Sequence, residues 1–362
     1  SRDSSRILVH FKKPYDKNTR ETLTYRVYDW KLNPLWSKSI DLPYSDQEFE
    51  PVEYAMDEED NVFLLGKVSS PDRKWIKGKP NFHYVLISYN HATNEVHEFD
   101  IDLKERSISD IHMAFDRNGQ LLVAGLYSKL ARFDDEAIGT FFLRIDRKRK
   151  TLTSRMIQSF DRKLLLDFMN ERQLEKGQEL QDFQVRKLIT TPRGETFMLA
   201  EQYYFKRDCM TDYRTGLQNC TDQYHFNNLL VVQMDSLGEL SWVGMVEKSQ
   251  YSTDDFGIFS SFIAGLQGDR LHLIFNDHPK NQGTTIPDKV KGMVMPRSSI
   301  IRDVVVDRQG AVVQREALDN MRQNTAVFVP RIHLSLSPAS FIVVSRFGST
   351  IRFGEVKIEQ AP

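Results

Sequence analysis

Two cysteines are the residues with the most distinct chemistry in this chain. Cys209 and Cys220 stand eleven positions apart in a polar segment rich in turn residues, and the 362 residues contain no other cysteine. A disulfide closing such a loop stabilises a fold by roughly 3 kcal/mol and persists in an oxidising compartment. Two free thiols in a cytosolic loop are the alternative. Zinc needs four Cys or His ligands and only His225 lies nearby, so we predict a disulfide and no metal site.

Acid–base chemistry has a few scattered candidates. Asp277 and His278 follow an apolar strand, with Asn281 nearby. A carboxylate beside a histidine can transfer protons, although a turn at a strand end is the more ordinary interpretation. Asp182, Glu201 and Asp277 are candidates for the paired carboxylates of a carbohydrate hydrolase or lyase, which must stand about 5–10 Å apart. No phosphate loop, dinucleotide-binding, zinc-protease or nucleophile-elbow motif is present, so no cofactor and no catalytic residue is predicted.

The elements that must position these residues are repeated hairpins. Apolar strands flank tight turns carrying Asp, Asn or Gly, and a first hairpin (strands A and B) alternates with a second (strands C and D) along the chain. Five copies of each recur. Radial repetition of a four-stranded antiparallel unit defines a β-propeller blade. Two β-sandwich domains are the alternative, whereas an α/β fold would need longer helical crossovers.

We therefore predict an all-β fold: a single β-propeller domain over 1–362, with about six four-stranded antiparallel blades. The predicted blades are 1–46, 47–103, 104–158, 183–247, 258–318 and 326–362. The first reads as a B-C-D fragment, and the last as an A-B hairpin followed by a strand. A helical insertion over about 161–176, within 159–182, begins at Ser159 or Asp161 and ends at Gly177. Its apolar stripe either packs on the propeller or docks a partner.

Composition excludes several classes of protein. The chain has 49 basic and 50 acidic residues, whereas nucleic-acid binders concentrate positive charge. No apolar run approaches the roughly 18 residues of a membrane-spanning helix. Residue 1 is Ser and no apolar leader precedes Arg6, so we expect a targeting peptide to have been removed or to lie outside this numbering.

The loops give the clearest indication of a working surface. Every long connection is B to C or D to A, and in an antiparallel blade these emerge on one face. The long connections are 69–82, 128–139, 159–182, 204–228, 247–257 and 278–297. They are rich in aromatic residues. The predicted binding-face residues are Trp75, Tyr204, Tyr213, Tyr224, Phe256, Asp277, His278 and Asn281.

The repeat pattern resembles the bacterial β-propeller superfamily, including uncharacterised propellers of envelope proteins. One stretch, Val232 to Trp242, is similar to a quinoprotein-type repeat, with Asp235, Gly238 and Trp242 at matching places. The chain does not show the cofactor-gripping cysteine pair or the repeated tryptophans of quinone-dependent dehydrogenases, so no catalytic residue carries over. The resemblance implies an exported protein of the periplasm, the outer membrane or the cell surface.

Two functions remain after these steps. The first is a non-catalytic scaffold that binds a protein partner of an envelope or secretion assembly, or a glycan, through the face with the long loops. The second is a carbohydrate-active propeller hydrolase or lyase with carboxylates at the channel mouth. The first is preferred, and enzymatic activity stays an open question.

Overall fold

The computed structural model describes residues 5–12, 20–69, 81–104, 106–129, 136–147, 151–281, 290–318 and 326–359. The chain divides into two compact units, Ser1–Ser159 and Phe160–Pro362. Each unit is described separately below. The single domain over 1–362 and its blade boundaries stay predictions.

The first unit is made of strands alone in its described part. Its strands are β1 Arg6–Lys12, β2 Arg20–Asp29, β3 Pro34–Ser45, β4 Phe49–Met56, β5 Val62–Ser69, β6 Phe82–Tyr89, β7 Val96–Ile101, β8 Ser107–Phe115, β9 Leu121–Ser128, β10 Glu136–Ala137, β11 Gly139–Asp146 and β12 Thr151–Ser159. Sheet I has the order β1-β2-β3, sheet II the order β4-β5-β6-β7, and sheet III the order β8-β9-β11-β12. All pairs within these sheets are antiparallel.

The second unit begins with two short helices and continues with strands. Its elements are α1 Arg162–Phe168, α2 Glu171–Glu175, β13 Leu180–Gln181, β14 Phe183–Thr190, β15 Thr196–Thr211, β16 Gln218–Met234, β17 Leu240–Val246, β18 Gln250–Thr253, β19 Ile263–Gln267, β20 Arg270–Asp277, β21 Ile300–Val306, β22 Val312–Leu318, β23 Val327–Ser337, β24 Ser340–Phe347 and β25 Thr350–Lys357, with 3-10 turns at Pro279–Asn281 and Pro296–Ser298. Sheet IV has the order β14-β15-β16-β17, with β18 on β16; sheet V is β19-β20-β21-β22 and sheet VI is β23-β24-β25.

The fold class is all-β of the β-propeller type, as predicted. Antiparallel sheets I to VI follow one another along the chain and contain all strands of the described residues except the two-residue strands β10 and β13, and there is little helix. Sheet I contains the B, C and D strands and sheet VI an A-B hairpin with one further strand. The strand alternation read from the sequence is thus confirmed.

Apolar side chains between consecutive sheets form the cores. In the first unit one cluster joins sheets I and II through Leu23, Leu64 and Val85. In the second unit a cluster joins sheets IV and V through Leu199 and Leu273. Strands buried on both faces read as continuous apolar runs, which is why the B and C strands are the most apolar segments of the sequence.

Aspartates fix the tight turns. Asp57, Asp116, Asp235 and Asp307 each accept backbone N–H groups two and four residues further on, at 2.8–2.9 Å. Such Asx turns replace the backbone bonds that the strand loses at its end.

The Asp-Gly-Trp signature of sheet IV belongs to this turn system. Trp242 donates its indole N–H to the Arg308 carbonyl at 2.7 Å. Gly310 has φ +85°, and an added Cβ there would lie 2.7 Å from the Trp242 ring. Gly310 is therefore required both by its left-handed backbone and by the close indole. Asp235, Gly238 and Trp242 have structural roles here, and their quinoprotein resemblance stays a prediction.

The helical insertion is two helices rather than one. Asp161 caps α1 through the Leu164 N–H, and Gly177 follows α2 with φ +67°, so both predicted ends are confirmed. The helix breaks because Asn170 starts α2 with its own capping box to Gln173. Leu164 and Leu165 are buried, which agrees with the packing interpretation of the apolar stripe.

The predicted loop over 204–228 is wrong. β15 and β16 run 16 and 17 residues, about twice the length of β14 and β17, and their pairing continues to Thr211 and Gln218. Tyr203, Tyr204 and Phe205 stand in a row on β15, and the residues that follow, over 206–223, are mostly polar. We call residues 203–226 the hairpin arm.

Candidate binding site

The hairpin arm continues β15 and β16 past the end of sheet IV. A register shift between Glu201 and Tyr203 separates the arm from the sheet, and β18 pairs with residues 223–226 as its third strand. Cys209 and Cys220 lie directly opposite each other in the arm and form the predicted disulfide. The bridge therefore ties together the two strands of the arm near its tip.

Cross-strand aromatic pairs stiffen the arm. The ring centroids of Tyr203 and Phe226 lie 4.7 Å apart, those of Tyr204 and His225 4.2 Å, and those of Phe205 and Tyr224 5.2 Å. Burial, followed by the nearby Lys206 ammonium, lowers the pKa of His225. Both effects favour the neutral form of the His225 ring. Each such pair stabilises a sheet by roughly 0.2–1 kcal/mol.

Apolar side chains are exposed at the tip of the arm. Tyr213 is fully exposed, and Met210 and Leu217 are exposed by 78% and 71%. Asp212 holds the tip turn by accepting the N–H of Arg214 at 2.8 Å. Exposed apolar residues clustered on a rigid element are typical of a binding surface.

Phe256 has an unusual backbone and an exposed ring. Its φ is +58°, and its side chain is 73% exposed. Bulky residues rarely adopt this region, which costs of order 1–3 kcal/mol. Asp255 holds the turn by accepting the Gly257 N–H at 2.8 Å, and Arg331 donates to the Phe256 carbonyl at 2.7 Å. The ring lies 6.2 Å from that of Tyr224 at the base of the arm.

Phe256 borders a cleft of about 810 Å³ in the second unit. The segment 254–259, the segment 294–298 and the ends of β23 and β24 enclose it. Its apolar lining residues are Phe256, Ile258, Phe259, Val294, Met295, Pro296 and Val327. Its charged lining residues are Asp254, Asp255, Arg297 and Arg346. Small-molecule and peptide sites have about this size and this mainly apolar lining.

A buried polar cluster lies at the end of the core between sheets IV and V. Glu201 and Lys248 are both fully buried, with Glu201 Oε1 2.8 Å from Lys248 Nζ. Lys248 also donates to the Phe226 carbonyl and to Gln250, each at 2.9 Å. Glu201 Oε2 accepts from Ser261 at 2.8 Å. Burial lowers the pKa of Lys248, and the Glu201 charge acts in the opposite direction.

Asp277 and Arg302 form the second ion pair of this cluster. Arg302 Nε donates to Asp277 Oδ2, while Asp277 Oδ1 accepts from Asn281 Nδ2 at 2.6 Å and from the His278 N–H at 2.7 Å. Arg302 is fully buried. Asp277 is thus the counter-charge of an interior guanidinium.

The predicted binding-face residues divide into three groups. Tyr204, Tyr213 and Tyr224 belong to the arm, with Tyr224 buried, and Phe256 borders the cleft. Asp277 and Asn281 lie inside the polar cluster and His278 at its edge. Trp75 lies outside the described residues. None of these placements tests a binding role, which stays a prediction for all eight residues.

Of the three candidate catalytic carboxylates, Glu201 and Asp277 are held in buried ion pairs rather than exposed to a substrate. Asp182 is partly exposed, with φ +65°, and its carbonyl accepts the Tyr203 N–H. Buried ion-paired carboxylates are not free to protonate a glycosidic oxygen or receive a proton from water.

Sequence reasoning missed Arg302, Lys248 and the 294–298 wall of the cleft. Arg302 carried a signal, because it interrupts the run Ile300 to Val306 at an inward position of the strand. Lys248 stands two residues after the end of β17 at Val246 and next to Glu247, where a lysine is usually exposed to solvent. Met295 and Val294 stood in a long connection without any strand pattern.

Within the described ranges, no three or more His, Cys, Asp or Glu side chains are grouped to hold a metal ion. Among the helices of those ranges, none has the length and apolarity to cross a membrane.

Comparisons with known proteins give distant similarities. No protein-family model matches the sequence, and no curated protein matches it. The chain is similar to the β-propeller domain of the Trilobed protease from Pyrococcus furiosus, with 9% identity, 99% of this chain and 81% of that chain covered, and a TM-score of 0.44. It is also similar to a polysaccharide lyase of family 25, an ulvan lyase, with 7% identity, coverage of 98% and 77%, and a TM-score of 0.44. Similarity at this level transfers no activity.

The disulfide gives a local prediction. Replacing Cys209 and Cys220 with serine is expected to leave sheet IV folded and to loosen the arm, because the bridge limits the chain entropy of about a dozen residues, worth roughly 3 kcal/mol at most. Hydrogen exchange should quicken in residues 205–222 and stay unchanged in β14 and β17. Unchanged exchange in the arm would contradict the prediction.

Proposed function

We propose that this protein is a non-catalytic binding module that captures a polypeptide segment of a partner in the cleft beside Phe256, with the hairpin arm as the adjoining contact surface. The partner segment carries a bulky apolar side chain that enters the cleft. The basic Arg297 and Arg346 and the acidic Asp254 and Asp255 at the cleft orient the polar groups of the bound segment.

The observation that carries the proposal is the strained and exposed Phe256. A residue with φ +58° and a ring 73% in solvent costs stability without contributing much to the core. Such outliers persist where the surrounding structure holds them for a function. Met295 and Val294 across the cleft are exposed by 65% and 55%, so the free protein keeps apolar surface ready for a ligand.

The ion-paired carboxylates favour this function over the hydrolase or lyase. Glu201 and Asp277 are candidate acids of the second unit, and both neutralise interior cations. We also propose export to the cell envelope or exterior, supported by the disulfide, since such bonds persist in oxidising compartments. Membership of an envelope or secretion assembly is part of the same proposal.

Selection from a random peptide library tests the proposal. The immobilised protein should enrich peptides with aromatic or large aliphatic residues. Phe256→Gly is expected to weaken the binding of an enriched peptide about 30-fold, since a binding hot spot contributes about 2 kcal/mol. The free energy of unfolding of this variant should lie within about 1 kcal/mol of that of the parent protein. Glycine adopts the positive φ without strain, which offsets the loss of one contact made by the Phe256 ring.

Phe353→Ala is the matched control. Phe353 is an equally exposed phenylalanine on β25, at 76%, and its ring does not line the cleft. Its removal should leave the peptide affinity unchanged. Enriched peptides that bind Phe256→Gly as tightly as the parent, or a library from which nothing is enriched, would refute the proposal.

A further inference from the structure

A second cavity lies apart from the peptide cleft in the same unit. It has a volume of about 390 Å³ and lies between the helical insertion, the start of β14 and the base of the arm. Five side-chain amides line it, together with Phe168. We call it the amide pocket; its amides belong to Gln173, Gln178, Gln181, Gln202 and Asn228.

These amides have unused hydrogen-bonding groups. Gln178 and Gln181 are exposed, and their side chains bond to no other described residue. Asn228 accepts the Lys248 N–H through Oδ1, which leaves its Nδ2 donor available. Gln202 donates to the Gln181 carbonyl, which leaves its Oε1 acceptor available. The pocket therefore offers both donors and acceptors without positive charge.

The charge and the ring define the ligand further. Asp167 and Glu179 line the pocket, so an anionic ligand would be repelled. Phe168 is held edge-to-face against Phe183, with ring centroids 5.3 Å apart, and provides an apolar surface in a polar site. A ligand that fits is uncharged, carries several hydroxyl groups that each donate and accept, and has one apolar face.

We propose that the amide pocket binds a neutral oligosaccharide. Sugar hydroxyls pair with amides, which both donate and accept, and the C–H face of a sugar ring packs on an aromatic ring such as Phe168. The volume falls within the range of about 300–1,000 Å³ found for small-ligand sites. This site is independent of the peptide cleft, because none of its lining residues borders that cleft.

Saturation-transfer NMR with neutral trisaccharides of glucose, galactose, mannose and N-acetylglucosamine tests the proposal. At least one is expected to bind the full chain at concentrations up to about 10 mM. Gln178→Ala/Gln181→Ala should weaken that binding at least tenfold. Both residues are exposed, so folding should be unaffected. Trigalacturonate, the acidic probe, should bind at least tenfold more weakly than the best neutral sugar.

Gln309→Ala is the control for loss of an exposed amide. Gln309 is exposed in the turn between β21 and β22, away from the pocket, and its replacement should not change sugar binding. The proposal is overturned if no neutral trisaccharide binds, if the double variant binds as the parent does, or if trigalacturonate binds more tightly. None of these outcomes depends on peptide binding at Phe256, so the two proposals can fail separately.

Discussion

Replacing Lys248 with methionine is expected to destabilise the second unit by about 3–5 kcal/mol. Lys248 and Glu201 are both fully buried, and the lysine satisfies three groups: the Glu201 carboxylate, the Phe226 carbonyl and the Gln250 amide oxygen. Methionine fills similar space but removes the ammonium that faces Glu201 Oε1 and donates to the Phe226 carbonyl, so the buried carboxylate loses its nearest counter-charge. The remaining pairing of Glu201 with Arg186 at 3.2 Å keeps the loss from being larger.

Urea denaturation can measure the free energy of unfolding of the second unit separately. Trp242 is the only tryptophan of the second unit, so its fluorescence reports that unit once Trp30, Trp36 and Trp75 are replaced by phenylalanine. Lys206→Met is the matched control: Lys206 pairs with Asp208 at the surface, with 60% of its side chain exposed. Its loss should be small. Equal effects of the two substitutions would contradict a structural ion pair.

The complementary variant Glu201→Gln gives a pH dependence of known sign. Without the Glu201 charge, the pKa of Lys248 falls further below its usual value of 10.5, because burial already lowers it. Between the folded and unfolded pKa values the unfolded chain then binds more protons. The stability of Glu201→Gln relative to the parent should therefore rise as the pH increases from 7 toward 10. A difference that stays constant over this range would show that Lys248 keeps its proton.

Asp277→Asn is also expected to lower the free energy of unfolding of the second unit by about 3–5 kcal/mol. Arg302 is fully buried, and among the described residues only its Nε has a hydrogen-bond partner, which is Asp277. Asparagine retains the oxygen that accepts from Asn281 and His278, but turns N–H donors toward a guanidinium that has lost its counter-charge. The negative charge of Asp277 also favours the charged form of Lys248, so both ion pairs weaken.

Asp269→Asn is the matched control for this substitution. Asp269 pairs with Arg193 at 3.1 Å with both side chains partly exposed, so the same chemical change should cost less than about 1 kcal/mol. Peptide affinity, corrected for the folded fraction, should be unchanged in Asp277→Asn. Normal stability together with lost peptide binding would instead assign Asp277 to the binding face, as the sequence predicted.

Much of the fold could be predicted from the sequence because its rules are local. Asp57, Asp116, Asp235 and Asp307 each end a strand and hold the next turn, and this pattern stands in the sequence as a repeat. The short apolar runs on either side of each turn mark the paired strands of a hairpin. Strand order, the cysteine pair and the ends of the helical insertion followed from such signals.

The hairpin arm shows where local rules mislead. Its sequence is mostly polar between Phe205 and Tyr224 and lacks the apolar run of an ordinary buried strand, so the sequence predicts a loop there. The arm is a hairpin in which residues 203–211 pair with residues 218–226, and β18 adds a third strand against residues 223–226. A sequence does not state which distant segment will supply that third strand.

The sequence by itself determined an all-β propeller fold, its disulfide and the aromatic character of its long connections, because turn chemistry and short apolar runs act between neighbouring residues. Only the tertiary structure decided which polar residues are interior. Asp277 looked like a surface acid and Arg302 like a strand interruption, yet they neutralise each other in the core. Burial and charge pairing depend on distances across strands, and residues far apart in the chain set those distances.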